Sequence, residues 1–169
     1  LEKKFTECFF QTKQNSVFPK ECIDGYTIDW PTGARTAMNK IISQNWHGLF
    51  LTFDYGLSRN TILQERPEGT ARGYSKHKIN TDLLSMVGEQ DLTCHLCWDE
   101  LIDCLKSRNF CSPKLQSQES FFMHHSQNKI KHLIEQSDGP LDSKIQKLKE
   151  LIHPQHLGNK FQALWAVRK

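Results

Sequence analysis

No apolar run in this sequence approaches the ~20 residues that a helix needs to cross a bilayer, so no segment reads as a membrane span. Charge of one sign is also scarce: 22 Lys and Arg against 19 Asp and Glu leave a formal +3 at pH 7, with both signs spread along the chain. No long-range basic field then points to nucleic acid or to an acidic membrane, and any basic partner surface must be local. Neither phosphate-cradling pattern, GxGxxG or GxxxxGK, occurs, and Gly69 and Gly73 reproduce neither spacing. Internal repeats and low-complexity tracts are missing as well. The opening LEKKFTECFF carries neither an h-region nor a cleavage site. The six cysteines (Cys8, Cys22, Cys94, Cys97, Cys104 and Cys111) therefore read as free thiols in a reducing compartment, with cytoplasm as the default. The 169 residues suit one domain, or part of a larger one.

What is there has the rhythm of an α/β chain. Phe5 to Thr12 is aromatic-rich and reads as a strand, and Lys13 to Gly25 as a loop or hairpin connection. From Pro31, apolar residues at Ala34, Ala37, Met38, Ile41 and Ile42 follow helical spacing, ending near Gln44 or Asn45. Leu49-Phe50-Leu51-Thr52-Phe53 is too short for a helix and is closed by Asp54-Tyr55-Gly56, as in a strand buried on both faces of a parallel α/β unit. In such sheets ligands gather beyond the carboxyl ends of strands, which makes Asp54 and the loop after it functional ground. Residues 57 to 90 read as one long connection of little periodicity. Trp98, Leu101, Ile102 and Leu105 predict a helix fading at Ser107 to Asn109, and Lys114 to Met123 a strand running into a helix. Two further helical stripes, Ile130 to Ile134 and Leu141 to Leu151, are separated by Ser137-Asp138-Gly139-Pro140, with Pro140 opening the second. Phe161 to Val167 reads as a terminal strand.

Three stretches carry chemistry: Asp54-Tyr55-Gly56, the basic, glycine-containing RPEGTARGYSKHK at 66 to 78, and Gln90-Asp91-Leu92-Thr93-Cys94-His95. Each mixes hydrogen-bonding side chains or glycines, and by residue chemistry alone each suits a ligand-facing rim or a well-ordered loop. Cys94-x-x-Cys97 invites zinc, but a closed tetrahedron wants a second knuckle, and Cys104 falls within a helical stripe. No metal site is expected, and ordinary buried thiols are the better reading. His124-His125, His132, His153 and His156 sit in no HExxH-type frame and read as helix-face histidines.

At these residues the chain resembles the MidA family of class I S-adenosylmethionine-dependent methyltransferases, which includes a mitochondrial complex I assembly methyltransferase. The family pattern is an apolar strand ending in DYG, then GT-R-Y--H, then G-QD-T-H leading into a helix. Here these are FDYG at 53 to 56, GTARGYSKH at 69 to 77 and GEQDLTCHL at 88 to 96, in that order. Gln118-Glu119-Ser120-Phe121-Phe122 and the stretch from Gly158 to Leu164 also look like C-terminal pieces of the family. The glycine-rich loop after the first strand and the NE-DA-P motif have no counterpart in the sequence.

The resemblance implies the C-terminal part of a Rossmann-like methyltransferase, with a mixed sheet, flanking helices and a C-terminal antiparallel strand. It implies S-adenosylmethionine as cofactor of the full-length parent and none for this piece alone. The substrate would be an arginine on a protein, in the cytoplasm, or in the mitochondrial matrix of a eukaryote. Candidate catalytic carboxylates are Asp54, Glu68 and Asp91. Candidate substrate-binding residues are Tyr55, Gly56, Gly69, Thr70, Arg72, Tyr74, His77, Thr93 and His95. Arg66 and Arg72 suit a structural role equally, anchoring carboxylates across the rim. A sheet that begins partway through leaves a strand edge unpaired, to be covered by a missing N-terminal half or a second copy. Where relatives have a small residue and an aspartate, this chain has Cys94 and Cys97, so Asp99 or nearby backbone is expected to cap the following helix. Two other classes compete: a protein-interaction module without catalysis, and a zinc-dependent nucleic-acid binder.

Overall fold

The computed structural model describes Cys8, residues 17–76 and residues 78–169. The strand expected over Phe5 to Thr12, apart from Cys8, and His77 lie outside the described residues. In chain order the elements are α1 (Thr32–Ile42), β1 (Gly48–Asp54), β2 (Gly56–Leu57), α2 (Arg59–Glu65), β3 (Arg72–Ser75), β4 (Lys78–Asn80), β5 (Asp91–Thr93) and β6 (Leu96–Cys97). They continue as α3 (Trp98–Ser107), β7 (Cys111–Ser117), α4 (Gln118–His125), α5 (Gln127–Glu135), α6 (Ser143–Ile152), a π-type turn (Pro154–Gly158) and β8 (Gln162–Arg168). The chain divides into two compact units, Leu1–Thr32 with Leu57–Cys97, and Gly33–Gly56 with Trp98–Lys169.

The second unit is built on a three-stranded sheet of order β1-β8-β7, antiparallel throughout. The C-terminal strand thus lies at the centre of this sheet. Leu164 and Ala166, opposite Thr52 and Phe50, are fully buried, as are Ile42 and Leu105 from the helices. On α3 the expected stripe residues Trp98, Leu101 and Leu105 are buried, with Cys104 beside them, while Ile102 is only half-buried. Arg168 closes the end of α1, donating to the carbonyls of Ile42 at 3.0 Å and Gln44 at 2.9 Å, which a helix C-terminus leaves without intrahelical partners.

Strand β1 departs from its expected setting. Among the described residues its one strand neighbour is β8, and that pairing is antiparallel, not the parallel pairing of the expected unit. The opposite sheet face carries Leu49, Leu51 and Phe53 beside Val167, Trp165 and Ala163. Helix α4 covers only part of it, with Phe121 5.2 Å and Phe122 5.4 Å from the Phe53 ring. Leu49 and Leu51 are 55% and 37% exposed, and Val167 is 38% exposed. A continuous apolar run encodes burial on two faces but not the identity of the neighbours, and here one face is largely open.

The first unit has little apolar core. Ile62 and Cys97 are its buried hydrophobic side chains among the described residues. The stretch read as a long connection contains α2, started by the Ser58 hydroxyl, and strands β3 and β4, which with β5 just beyond it form the sheet of order β4-β3-β5. Its strands are only three or four residues long, below the length at which alternation can be recognised. Similarly, the second C-terminal helix is opened by Asp142, which accepts from the Lys144 N–H at 2.7 Å, and not by Pro140. A carboxylate that satisfies a first-turn N–H outranks proline as a start signal there.

Candidate functional site

The segment from Arg66 to Ser75 is organised by one residue that the sequence did not single out, Asp29. Gly69 has φ of +70°, which brings the Thr70 and Ala71 amides into reach of one carboxylate oxygen. Asp29 Oδ2 accepts from both, the Ala71 bond measuring 2.7 Å. Successive backbone N–H groups beside a left-handed residue form an anion-binding nest, and this one is filled from within the chain. A Cβ at Gly69 would collide with the same carboxylate. The signal that could have revealed Asp29 is the need of such a nest for an anion, which no local pattern in sequence expresses.

The second and third motif stretches meet through Thr70, which is only 6% exposed: its hydroxyl oxygen accepts from the His95 N–H at 3.1 Å. Antiparallel register sets Arg72 opposite Thr93 and Tyr74 opposite Asp91. Arg72 turns its guanidinium onto the Ala71 carbonyl at 2.6 Å. Gln90 holds the following turn, donating to the Ser85 carbonyl at 2.6 Å and accepting from Asn80 at 3.0 Å. A Cβ at Gly73 would meet the side-chain oxygen of Gln90 and displace it. Of the carboxylates in this unit, Glu68 and Asp91 are both exposed, Glu68 bridging to Thr27 through the backbone. Tyr74 is also exposed.

Burial holds the His95 imidazole below the usual histidine pKa, and the Arg66 and Arg72 charges push it the same way. Below the unfolded value of about 6.5 the unfolded chain then binds more protons than the folded one. Stability is expected to fall as pH drops through about 6.5 towards the lower native pKa. Urea titrations at a series of pH values should show this loss, and His95→Gln should flatten it.

In the other unit, Asp54 ends β1 half-buried, one carboxylate oxygen accepting from the Tyr55 N–H at 2.8 Å. Gly56 is half-buried beside it, and the Tyr55 ring meets Phe161 edge-on at 5.5 Å. Asp54 lies opposite Gln162, whose side-chain oxygen accepts from the Trp98 indole N–H. That last pairing also escaped the sequence reading.

Cys94 is exposed and Cys97 fully buried. Among the described residues no group of three or more His, Cys, Asp or Glu side chains is arranged to hold a metal ion. No described helix is long and apolar enough to cross a membrane.

The mixed α/β chain is similar in fold to a structure from Burkholderia thailandensis titled a "COG1565 superfamily member and likely methyl transferase", bound to S-adenosyl-homocysteine. The TM-score is 0.75 at 19% identity, over 88% of this chain and 39% of that one. A second structure from the same organism, an uncharacterized ACR, COG1565 superfamily protein, matches with a TM-score of 0.71 at 18% identity, over 86% and 41% of the two chains. The family described as "Putative S-adenosyl-L-methionine-dependent methyltransferase" matches residues 2–115, and the chain belongs to that family. Among curated proteins nothing matches. The chain spans about two fifths of the length of the solved structures it resembles.

The two glycines of the 66 to 78 stretch face space already taken by Asp29 and Gln90, and the nest beside Gly69 holds a carboxylate of the chain itself.

Proposed function

We propose that this chain is one part of an S-adenosylmethionine-dependent methyltransferase of the MidA type that methylates arginine on a protein, as relatives acting in respiratory complex I assembly do. The observation carrying this reading is the family match over residues 2–115, an interval that contains FDYG, GTARGYSKH and GEQDLTCHL in family order. The cofactor would be held by a portion of the parent enzyme that supplies the glycine-rich loop. Cytoplasm or mitochondrial matrix is the corresponding location.

Guanidinium keeps its proton to above pH ~12 and is a poor nucleophile, so it must be oriented by carboxylates and relieved of a proton as the methyl group arrives. Asp54, Glu68 and Asp91 are the carboxylates for that work, with Tyr55, Tyr74, His77 and His95 as hydrogen-bonding partners. Half-burial at the carboxyl end of a strand favours Asp54 over its two exposed counterparts. Gly56, Gly69, Thr70, Arg72 and Thr93 shape the substrate rim in this reading. The test uses this chain preceded by the strand, glycine-rich loop and helix of a family member, with labelled methyl donor and an arginine-bearing protein extract. Asp54→Asn is expected to lower kcat by at least ~10²-fold, with Glu68→Gln and Asp91→Asn changing it only a few-fold. Full activity in all three variants would remove the carboxylates from the mechanism.

A second reading, an interaction module, is favoured by the open face at Leu49, Leu51 and Val167. Both readings call for a polypeptide against β1, the N-terminal half of the enzyme or a second copy. Leu51→Lys is expected to reduce self-association of the chain in sedimentation experiments.

A further inference from the structure

The segment from Tyr26 to Asp29 is stitched to the stretch from Leu63 to Ala71 at three points. The Tyr26 hydroxyl donates to the Leu63 carbonyl at 2.5 Å, and the Thr27 N–H donates to the Pro67 carbonyl at 2.8 Å. Asp29 makes the third contact, with the Thr70 and Ala71 amides. Only there does an ionisable carboxylate hold backbone donors, and charge-assisted bonds of this kind are roughly twice as strong as neutral ones.

Two candidate rim residues depend on the pair of residues that Asp29 holds. The Thr70 hydroxyl accepts from the His95 N–H at 3.1 Å, and the Ala71 carbonyl accepts from the Arg72 guanidinium at 2.6 Å. Gly69, buried and with φ of +70°, is the joint that turns both amides towards the carboxylate. All of these residues belong to one compact unit. His95 is half-buried, and burial, with the Arg66 and Arg72 charges, favours its uncharged form. An uncharged imidazole offers an acceptor nitrogen to a guanidinium N–H, whereas a charged one can only donate and repels the cation.

We propose that Asp29 is a positioning residue of the substrate rim: seated in the nest, its carboxylate fixes Thr70 and Ala71 and through them sets the places of the His95 and Arg72 side chains. The position requires an acceptor between two amides, so a small anion can stand in for the side chain. The part played in methyl transfer rests on the function proposed above; the hold on the rim does not.

The hold is tested on the 169-residue chain with ¹³C-labelled histidine, by following the His95 ring signals against pH by NMR. In the unaltered chain the ring should titrate below about 6.5. Asp29→Ala removes a negative charge, which on its own lowers that value further, whereas loss of the hold admits water to the ring and raises it towards about 6.5. The rise is the expected result. Asp29→Asn keeps an acceptor in the nest and should stay close to the unaltered chain. Sodium formate added to Asp29→Ala should restore the low value where sodium chloride at equal ionic strength does not. Restoration by asparagine or by formate is sufficient, because each supplies only the acceptor. In the extended enzyme Asp29→Ala should raise KM for the protein substrate by at least ~10-fold with kcat changed only a few-fold, and Asp29→Asn should raise it far less. An inactive extended enzyme would count against the methyl-transfer reading, and the His95 titration would still decide the hold. An unchanged KM beside a shifted His95 would overturn the place of Asp29 at the rim. A His95 value that falls or stays put in Asp29→Ala, or a rise that Asp29→Asn shares and formate leaves untouched, would overturn the proposal as a whole.

Discussion

Replacing Trp98 by alanine is expected to cost about 3–5 kcal/mol, the range for large aromatic side chains in packed cores. That is a large share of the ~5–15 kcal/mol that holds a typical domain folded. Trp98 is 2% exposed at the first turn of α3, in the same unit as buried Ile42, Leu105, Leu164 and Ala166. It does two jobs, filling volume and donating its indole N–H to Gln162. Trp98→Phe separates them: most of the ring volume remains, but the Gln162 oxygen loses its donor, at about 1–3 kcal/mol. Equilibrium urea unfolding of both variants should rank alanine well below phenylalanine. Equal losses would mean that the hydrogen bond dominates the packing. Negligible losses would mean that α3 does not anchor this unit.

The second large effect is expected at Asp29. Asp29→Ala removes the one acceptor of the Thr70 and Ala71 amides, a loss of about 2–4 kcal/mol for two groups shielded from water. The first unit has few apolar contacts to absorb such a loss, so it should appear locally, as faster amide exchange in β3 and β5. Gly69→Ala attacks the same contact from the other side. The left-handed backbone costs a side chain roughly 1–2 kcal/mol, and the new Cβ meets the Asp29 carboxylate. In the Asp29→Ala background that collision is gone, so the two substitutions should be less than additive by about 1 kcal/mol or more. Strict additivity would separate the glycine from the nest.

These effects show why parts of the chain were legible from sequence and others were not. Long elements with strong periodicity could be read: α3 from Trp98 and Leu105, because one buried helix face leaves a repeat of three and four, and α1 from its apolar stripe, although only Met38 and Ile42 of that stripe are buried while Ala37 and Ile41 are exposed. Strand β1 was recognisable as a strand, but its neighbours were not, since pairing partners over a hundred residues away leave no local trace. The short strands β3 to β5 carry too few residues for alternation, and Gly73 interrupts the only one with an aromatic. The motif residues Thr70, Arg72, Thr93 and His95 were located by family resemblance, and the hydrogen bonds among them give that pattern a structural basis. Asp29 and Gln162 were invisible because each acts through one side-chain oxygen on groups 41 or more residues away.

We propose that this chain is one part of a methyltransferase and that another part of the parent enzyme supplies the cofactor cradle. Titration calorimetry with S-adenosylmethionine tests that most directly, comparing the 169-residue chain with the same chain preceded by the strand, glycine-rich loop and helix of a family member. The account predicts no saturable heat for the chain alone and one binding event per molecule for the extended form. A stable monomer of the chain alone that binds S-adenosylmethionine with micromolar affinity would contradict it.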